Sequence, residues 1–454
     1  MQQVRAARFG IEQGLAPSIA ASMAAVSISS AAAVPQRAAD APPLPPPPLS
    51  PPPKPPRVPI DDGELTTIIH TEGRGRGLAA TKTLPAGTAV LCEPALASAD
   101  LKNPHHNPWM VAATLVNALL KTPGAVEVTK NLEPRNASGQ VVPPGESKQV
   151  EQAVTFVQKK NPQELSEGVE ELLAEDEATR LLHVVVRNSL QLCGLQALCP
   201  RVAMLNHSCT PNAVHLGYKR VGDGRLCCCI RAVREIKKGD EITISYISDL
   251  ASSVEERSNA LYHHGFKATE RPCDALLVEW KVPIQEEDAD EQSKKREAIG
   301  ACNMAADAAW TVAHAAGKGA TEAVVRRKGL MEAASHYAKL LQLANGVLGE
   351  RHGLLLVARG RLAKVMQLSG AERSRANAMP LWKAVLAVMR PCVPTRWPQL
   401  LEPLRGLADA AEAAGDDETE LEAREEVDAL LRIIRPDCGD VVVEGVYTSD
   451  YWFR

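Results

Sequence analysis

The chain has 454 residues, enough for roughly two or three domains with full cores. Its 51 basic and 55 acidic residues leave a formal net charge of −4, which argues against a dedicated nucleic-acid or membrane-surface binder. Eleven cysteines without a Cys-x-x-Cys pair, and no long unbroken apolar run, exclude a disulfide scaffold and a spanning helix, so an intracellular protein with reduced thiols is expected.

Residues 1–60 differ from everything that follows. Met1 to Val34 is rich in Ala and Ser, carries Arg5 and Arg8, and has Glu12 as its only acid. Between Pro42 and Pro59, twelve of eighteen residues are proline, which can form neither helix nor sheet ladders. This leader reads as a disordered tail or as an organelle transit peptide, so cytoplasm, nucleus and organelle import all stay open. From about Asp61 the pattern becomes mixed. Leu65–His70, Thr88–Cys92, Leu226–Val233 and Glu241–Tyr246 are β-type runs between Gly- and Pro-marked turns. Glu164 to Val186 repeats apolar residues at helical spacing, and Asn131 to Ser147 reads as a surface loop.

After Gln285 the strand pattern stops and Ala, Leu, Glu and Lys dominate at helical period. Shifting the chain by 45 residues aligns Tyr337-Ala-Lys-Leu-Leu-Gln-Leu with Trp382-Lys-Ala-Val-Leu-Ala-Val, and then with Val427-Asp-Ala-Leu-Leu-Arg-Ile. The last two copies both run into Arg-Pro, at Arg390-Pro391 and Arg435-Pro436. A fixed period of this size is the mark of stacked helix pairs. The expected layout is a leader over 1–60, a mixed domain over 61–250 with a helical insert at about 103–187, and a short segment over 251–285. A helical-repeat domain over 286–440 follows, then a tail over 441–454 rich in aromatics, which would dock on the protein's own repeats or offer a partner-binding peptide.

Three distant segments carry chemistry. Gly73-Arg-Gly-Arg-Gly-Leu78 follows a strand run; its glycines let backbone approach a ligand, although a bare β-turn explains them too. Asn206-His-Ser-Cys-Thr-Pro-Asn212 is a polar run between apolar stretches, readable as a buried polar site, a metal-binding loop or a capped turn. Leu226-Cys-Cys-Cys-Ile-Arg-Ala-Val-Arg234 leads through a Lys-Lys-Gly-Asp turn into Glu241-Ile-Thr-Ile-Ser-Tyr246. Its adjacent cysteines point to alternate faces of a strand and cannot all ligate one ion, so they are read as packing.

In this order and spacing the segments resemble the SET domain of protein lysine methyltransferases. Asn206-His-Ser-Cys-x-Pro-Asn212, followed by Gly-Asp-Glu-Ile-Thr-Ile-Ser-Tyr246, is similar to that family's two diagnostic motifs. Arg231-Ala-Val-Arg-Glu-Ile, the Asn188-Ser189 pair and Glu255-Glu-Arg-Ser continuing to Phe266 resemble the SET-and-MYND (SMYD) branch. The resemblance implies an α+β chain: a SET-domain β-clip fold with a helical insert, then an all-α tetratricopeptide-like repeat domain. The segments around Asn206 and Tyr246 would cross in a knot-like arrangement.

By the same resemblance the cofactor is S-adenosyl-L-methionine and the reaction is methyl transfer to lysine side chains of protein substrates. Arg74, Gly75 and Arg76 would contact the methionine end, and Asn188, Asn206 and His207 the amino-acid part and adenine. Tyr246 would be the catalytic tyrosine, Phe266 would stack near the adenine or line the lysine channel, and His264 stands where relatives place a further channel aromatic. The chain departs from the branch in two places. Between Asp100 and Arg187 there is no cysteine, so the MYND zinc finger is absent. Where relatives carry post-SET zinc cysteines the chain has Ala268, Glu270 and Cys273 beside Cys209, too few good ligands for a closed structural site, so no zinc is expected. These departures leave a catalytically inactive scaffold, binding partner proteins on its repeats, as the alternative to an active enzyme. No direct nucleic-acid or membrane partner is implied.

Overall fold

The architecture comes from a computed structural model that describes residues 64–434, apart from 73, 101–107, 135–145, 160–173, 221–223, 248–249, 270–288, 317–319, 346, 350–351 and 369–370, together with 441–442. The leader, Glu270, Cys273 and most of the aromatic tail lie outside the described residues. Two compact units are present: one holds the helices within Val282–Leu348, the other spans Val58–Lys281 and Gly349–Arg454. The units divide inside the expected repeat domain.

In the larger unit, β1 (Thr66–Thr71), β2 (Gly75–Ala80), β10 (Glu241–Ile244) and β7 (Asn206–His207) form one sheet in the order β1-β2-β10-β7. A second sheet runs β11-β8-β9-β3, from Val441–Val442, Ala213–Arg220, Leu226–Ala232 and Ala89–Pro94. A third, β4-β6-β5, joins Ala97–Asp100, Leu195–Leu198 and Ser189–Leu192. The four strand runs expected from sequence all appear, each within two residues of its predicted bounds. β9 is buried on both faces, and strand geometry sends alternate residues one way: Leu226, Cys228, Ile230 and Ala232 enter a core with Leu78, Val90, Ile242 and Ile244. Cys227 and Cys229 therefore face the other side.

The insert is helical. Pro108–Leu120 (α1), Ala125–Thr129 (α2), Ser147–Gln158 (α3) and Glu175–Asn188 (α4) share one core, built on Trp109, Leu115, Leu119, Val154, Leu181 and Val185. The helix expected over Glu164–Val186 is described from Glu175, and Ser147 begins α3 rather than ending a loop. Buried Arg180 is satisfied by Glu177 at 2.6 Å and by the Thr129 hydroxyl at 3.1 Å, tying α4 to α2. After the sheets, Val254–Ala260 (α5) starts on a capping box in which Ser253 and Glu256 exchange bonds.

In the other unit, Ala289–Ala315 (α6) and Ala320–Ala344 (α7) form a hairpin burying Ile299, Ala306, Trp310, Tyr337 and Leu340. The Tyr337 hydroxyl donates to Asp307 Oδ1 at 2.9 Å. The larger unit continues with Gly353–Leu368 (α8), Glu372–Asn377 (α9), Met379–Met389 (α10), Leu401–Ala414 (α11) and Asp417–Ile434 (α12). The 45-residue repeat is visible in burial. Leu340, Val385 and Leu430 occupy equivalent places, as do Ala344, Met389 and Ile434, and every one of them is buried. α10 and α11 approach so closely that a Cβ at Gly406 would lie 2.4 Å from the Trp382 ring. The tail's Val441–Val442 pairs with β8, an edge of the second sheet.

Candidate functional site

The site is assembled by one parallel pairing. β7 lies beside β10 with Asn206 opposite Thr243 and His207 opposite Ile244, although more than thirty residues separate them in sequence. Ser208 N–H donates to the Ile244 carbonyl at 2.9 Å and extends the pairing. On the other side of β10, Glu241 and Ile242 pair with Ala79 and Leu78 of β2. The chain's glycine-rich turn, its Asn-His pair and the approach to Tyr246 are thus neighbours.

Glu241 is the hub of the polar part. Its carboxylate accepts from Asn206 Nδ2 at 2.7 Å and from Thr71 Oγ1 at 3.5 Å, and it forms an ion pair with Arg74. Asn206 Nδ2 also donates to the Arg76 carbonyl at 3.2 Å. A Cβ at Gly77 would sit 2.7 Å from Glu241 Oε1 and 3.0 Å from Asn206 Nδ2, so both side-chain ends would have to shift to admit it. Gly75, at φ +74°, has open space around it, so its requirement is backbone conformation rather than room. Buried Asn212 clamps the same strand: its amide donates to the Glu241 carbonyl at 2.8 Å and its oxygen accepts from Thr243 N–H at 2.8 Å.

Tyr246 ends this strand region. Its hydroxyl donates to the Leu205 carbonyl at 2.6 Å, and its backbone N–H donates to His207 Nδ1 at 3.1 Å. Because Nδ1 accepts, the neutral His207 ring carries its proton on Nε2, 3.3 Å from Cys209 Sγ. Burial, with the Glu241 charge adding to it, pushes the Tyr246 phenol up to about 12, and Arg74 opposes the shift. The phenol is therefore neutral across the physiological range.

Aromatic rings enclose the tyrosine. His264 lies 4.7 Å from it, His207 5.5 Å and Phe266 6.3 Å between ring centroids, and Phe266 is 5.8 Å from His207. His264 ends a 3₁₀ turn, Tyr262–His264, closed by Gly265 at φ 82°. Phe266 then stands 41% exposed, an apolar platform open on one side.

The structure therefore gathers Arg74, the Arg76 carbonyl and Asn206 on one side, and His207, Tyr246, His264 and Phe266 on the other. Arg76 sends its guanidinium to the Asn131 carbonyl. Asn188 donates to the Glu133 carbonyl at 2.6 Å and to Val184 at 2.7 Å, so its side chain caps α4 and holds the 131–133 segment. Sequence reasoning assigned no role to Glu241 or Asn212. Both sat inside quoted motifs, but nothing local showed that Glu241 meets Arg74 or that Asn212 reaches β10. Among the described residues no group of three His, Cys, Asp or Glu side chains could hold a metal ion, while Glu270 and Cys273 lie outside them.

Residues 75–247 match the family model described as the SET domain. Histone-lysine N-methyltransferase SMYD3 of Mus musculus is 33% identical over 112 residues, covering 23% of this chain and 23% of that protein. N-lysine methyltransferase SMYD2 of Homo sapiens is 46% identical over 65 residues, 14% of this chain and 13% of that protein. The chain thus aligns with less than a quarter of the length of either relative. Among solved structures, the SET domain of LSMT bound to lysine and AdoHcy aligns over 82% of this chain and 87% of its own at 14% identity, with a TM-score of 0.29, too low to add weight. The glycine-rich turn, the Asn206-His207 pair and the Tyr246 strand all fall at or within the matched segment, and residues 75–247 are a SET domain with SMYD proteins among its relatives.

Proposed function

We propose that the chain transfers a methyl group from S-adenosyl-L-methionine to lysine side chains of protein substrates. The observation that carries this is the β7–β10 pairing, which sets Tyr246 between the Asn206-His207 pair and the rings of His264 and Phe266. The donor fits the residues present. Arg74 offers a half-exposed cationic guanidinium to a carboxylate, Asn206 an amide, and Phe266 an exposed face for a purine. Gly77 keeps the backbone clear beside them. When bound, the donor supplies a methyl activated by its cationic sulfonium.

The chain's own part is positioning. A lysine amine has a pKa of about 10.4 in water and must lose its proton before it can attack. Entry between the packed rings desolvates it and lowers that pKa, as does a nearby positive charge. Tyr246, neutral and with its proton committed to Leu205, is not a base. Its oxygen is left to accept an N–H from the amine, which orients the nitrogen lone pair toward the methyl. Such alignment is the term that speeds a bimolecular transfer. His264 lines the same space with a ring that is polar at its edge, in place of a plain aromatic.

The test uses the chain from Asp61 onward, wild type and Tyr246→Phe. Both are titrated with S-adenosylmethionine by calorimetry, then incubated with labelled donor and a mixed protein extract. Binding by both, with label on protein lysines from the wild type only, is the expected result. Binding without transfer would leave a silent scaffold, and no binding would overturn the assignment.

A further inference from the structure

The three cysteines in a row on β9 are not absorbed by the methyl-transfer site, and one of them has a cross-strand partner. β3 and β9 run antiparallel with Pro94 opposite Cys227, Glu93 opposite Cys228 and Cys92 opposite Cys229. Ala95 N–H donates to the Leu226 carbonyl at 2.8 Å, which makes Ala95 and Leu226 a hydrogen-bonded pair. Such pairs alternate along an antiparallel ladder. Pro94–Cys227 is therefore a non-hydrogen-bonded position, as a residue lacking an N–H requires, and two steps on so is Cys92–Cys229.

At non-hydrogen-bonded positions opposite Cα atoms are about 4.5 Å apart and the side chains lean together. That separation is within the range of about 4.4–6.8 Å that a disulfide spans. Cys92 and Cys229 project to the same face, because residues opposite each other always do. Cys228 projects to the other face, into the core that also holds Cys199. Exposure differs in a useful way. Cys92 is half-buried and Cys229 is fully buried, so a small oxidant has one thiol to meet first. Cys199 and Cys228 are both fully buried and present no such entry.

We propose that Cys92 and Cys229 form a dithiol modification site that small disulfides such as glutathione disulfide oxidise reversibly to a cross-strand disulfide. The Cys92 thiolate attacks one sulfur of the oxidant, whose S–S bond breaks and releases one thiolate to be protonated. The Cys229 thiol, after losing its proton, attacks the Cys92 sulfur and displaces the second thiol. Two electrons pass from the cysteine pair to the oxidant, one intramolecular S–S bond forms, and two small thiols leave. Methyl transfer plays no part in this chemistry.

The test is made on the reduced full chain, incubated with glutathione disulfide, alkylated with N-ethylmaleimide and digested with trypsin. Cleavage after Arg225 and Arg231 puts Cys227, Cys228 and Cys229 on one peptide, so single variants assign the bond. The expected result is that peptide disulfide-linked to the one carrying Cys92, with the link retained in Cys227→Ser and Cys228→Ser, lost in Cys229→Ser and Cys92→Ser, and opened by dithiothreitol. Circular dichroism of each variant checks that loss of the link is not loss of fold. A link that survives Cys229→Ser, a glutathione adduct that stays on Cys92 without resolving, or no link in a folded wild type would each overturn the site.

Discussion

Asn206 Nδ2 lies 2.7 Å from Glu241 Oε1, so the polar side chain of β7 and the carboxylate at the start of β10 hold each other in place. Glu241 also holds Arg74, and Asn206 also donates to the Arg76 carbonyl, so the two Asn206 bonds together tie β7 to β10 and β2.

Gly77→Ala should break this arrangement. The new Cβ would meet Glu241 Oε1 at 2.7 Å and Asn206 Nδ2 at 3.0 Å, and both side chains would have to move. S-adenosylmethionine affinity is expected to fall at least about tenfold, equal to roughly 1.4 kcal/mol. Gly75→Ala meets nothing, but its φ of +74° costs an alanine on the order of 1 kcal/mol. It should lower the melting temperature through backbone strain alone. Calorimetry measures the affinity of Gly77→Ala, thermal melts on both variants test the strain, and a Gly75→Ala variant as stable as wild type would contradict it.

Asn212→Ala leaves the Thr243 N–H and the Glu241 carbonyl without their partner in a buried place. A buried orphan of this kind costs about 1–3 kcal/mol. Asn212→Asp keeps the acceptor for Thr243 but turns a carboxylate oxygen toward the Glu241 carbonyl in a buried place, so it should be at least as damaging. Urea unfolding midpoints measured above pH 6 test the order. An alanine variant as stable as wild type would show that the clamp is not made.

The Tyr246 phenol should ionise late. With its folded value pushed up to about 12, against about 10 in the unfolded chain, the folded state keeps a proton that the unfolded state has lost. The stability it contributes is complete below pH 10 and is lost as pH rises toward 12. The wild type minus Tyr246→Phe difference in ultraviolet titration should therefore show a tyrosine ionising near 12. The methyl-transfer rate should climb through pH 8–10 without a falling limb from this group.

Acid should loosen the insert through His183. Its ring is buried against Trp109 at 5.1 Å, and burial, aided by the Arg187 charge, lowers it to about 4. The unfolded chain takes up the proton at about 6.5, so stability is full above that pH and falls as pH drops toward 4. Melting temperatures between pH 7.5 and 4.5 should decline less steeply in His183→Phe than in the wild type. Parallel declines would show that His183 is not the group responsible.

Local chemistry was legible along the chain because period and punctuation are local. β-type runs between Gly- and Pro-marked turns placed the strands at Leu226 and Glu241, and the 45-residue shift picked out places where Leu340, Val385 and Leu430 are all buried. The alternation of Cys227, Cys228 and Cys229 followed from strand geometry alone. Roles resting on long-range contacts were not legible by the same means. Nothing local showed, for example, that the Asn188 amide holds the Glu133 carbonyl, a partner fifty-five residues away.

What the sequence determined by itself was therefore the order of motifs, their residue types and the element that each would ride on. What only the tertiary structure decided was which of them touch: Glu241 with Arg74, Asn212 with Thr243, and His264 with Tyr246. The physical reason is reach. Propensity and hydrophobic period act over a few residues. A parallel pairing such as β7 on β10 forms between segments far apart in the chain, and its register is set by the core that both strands bury.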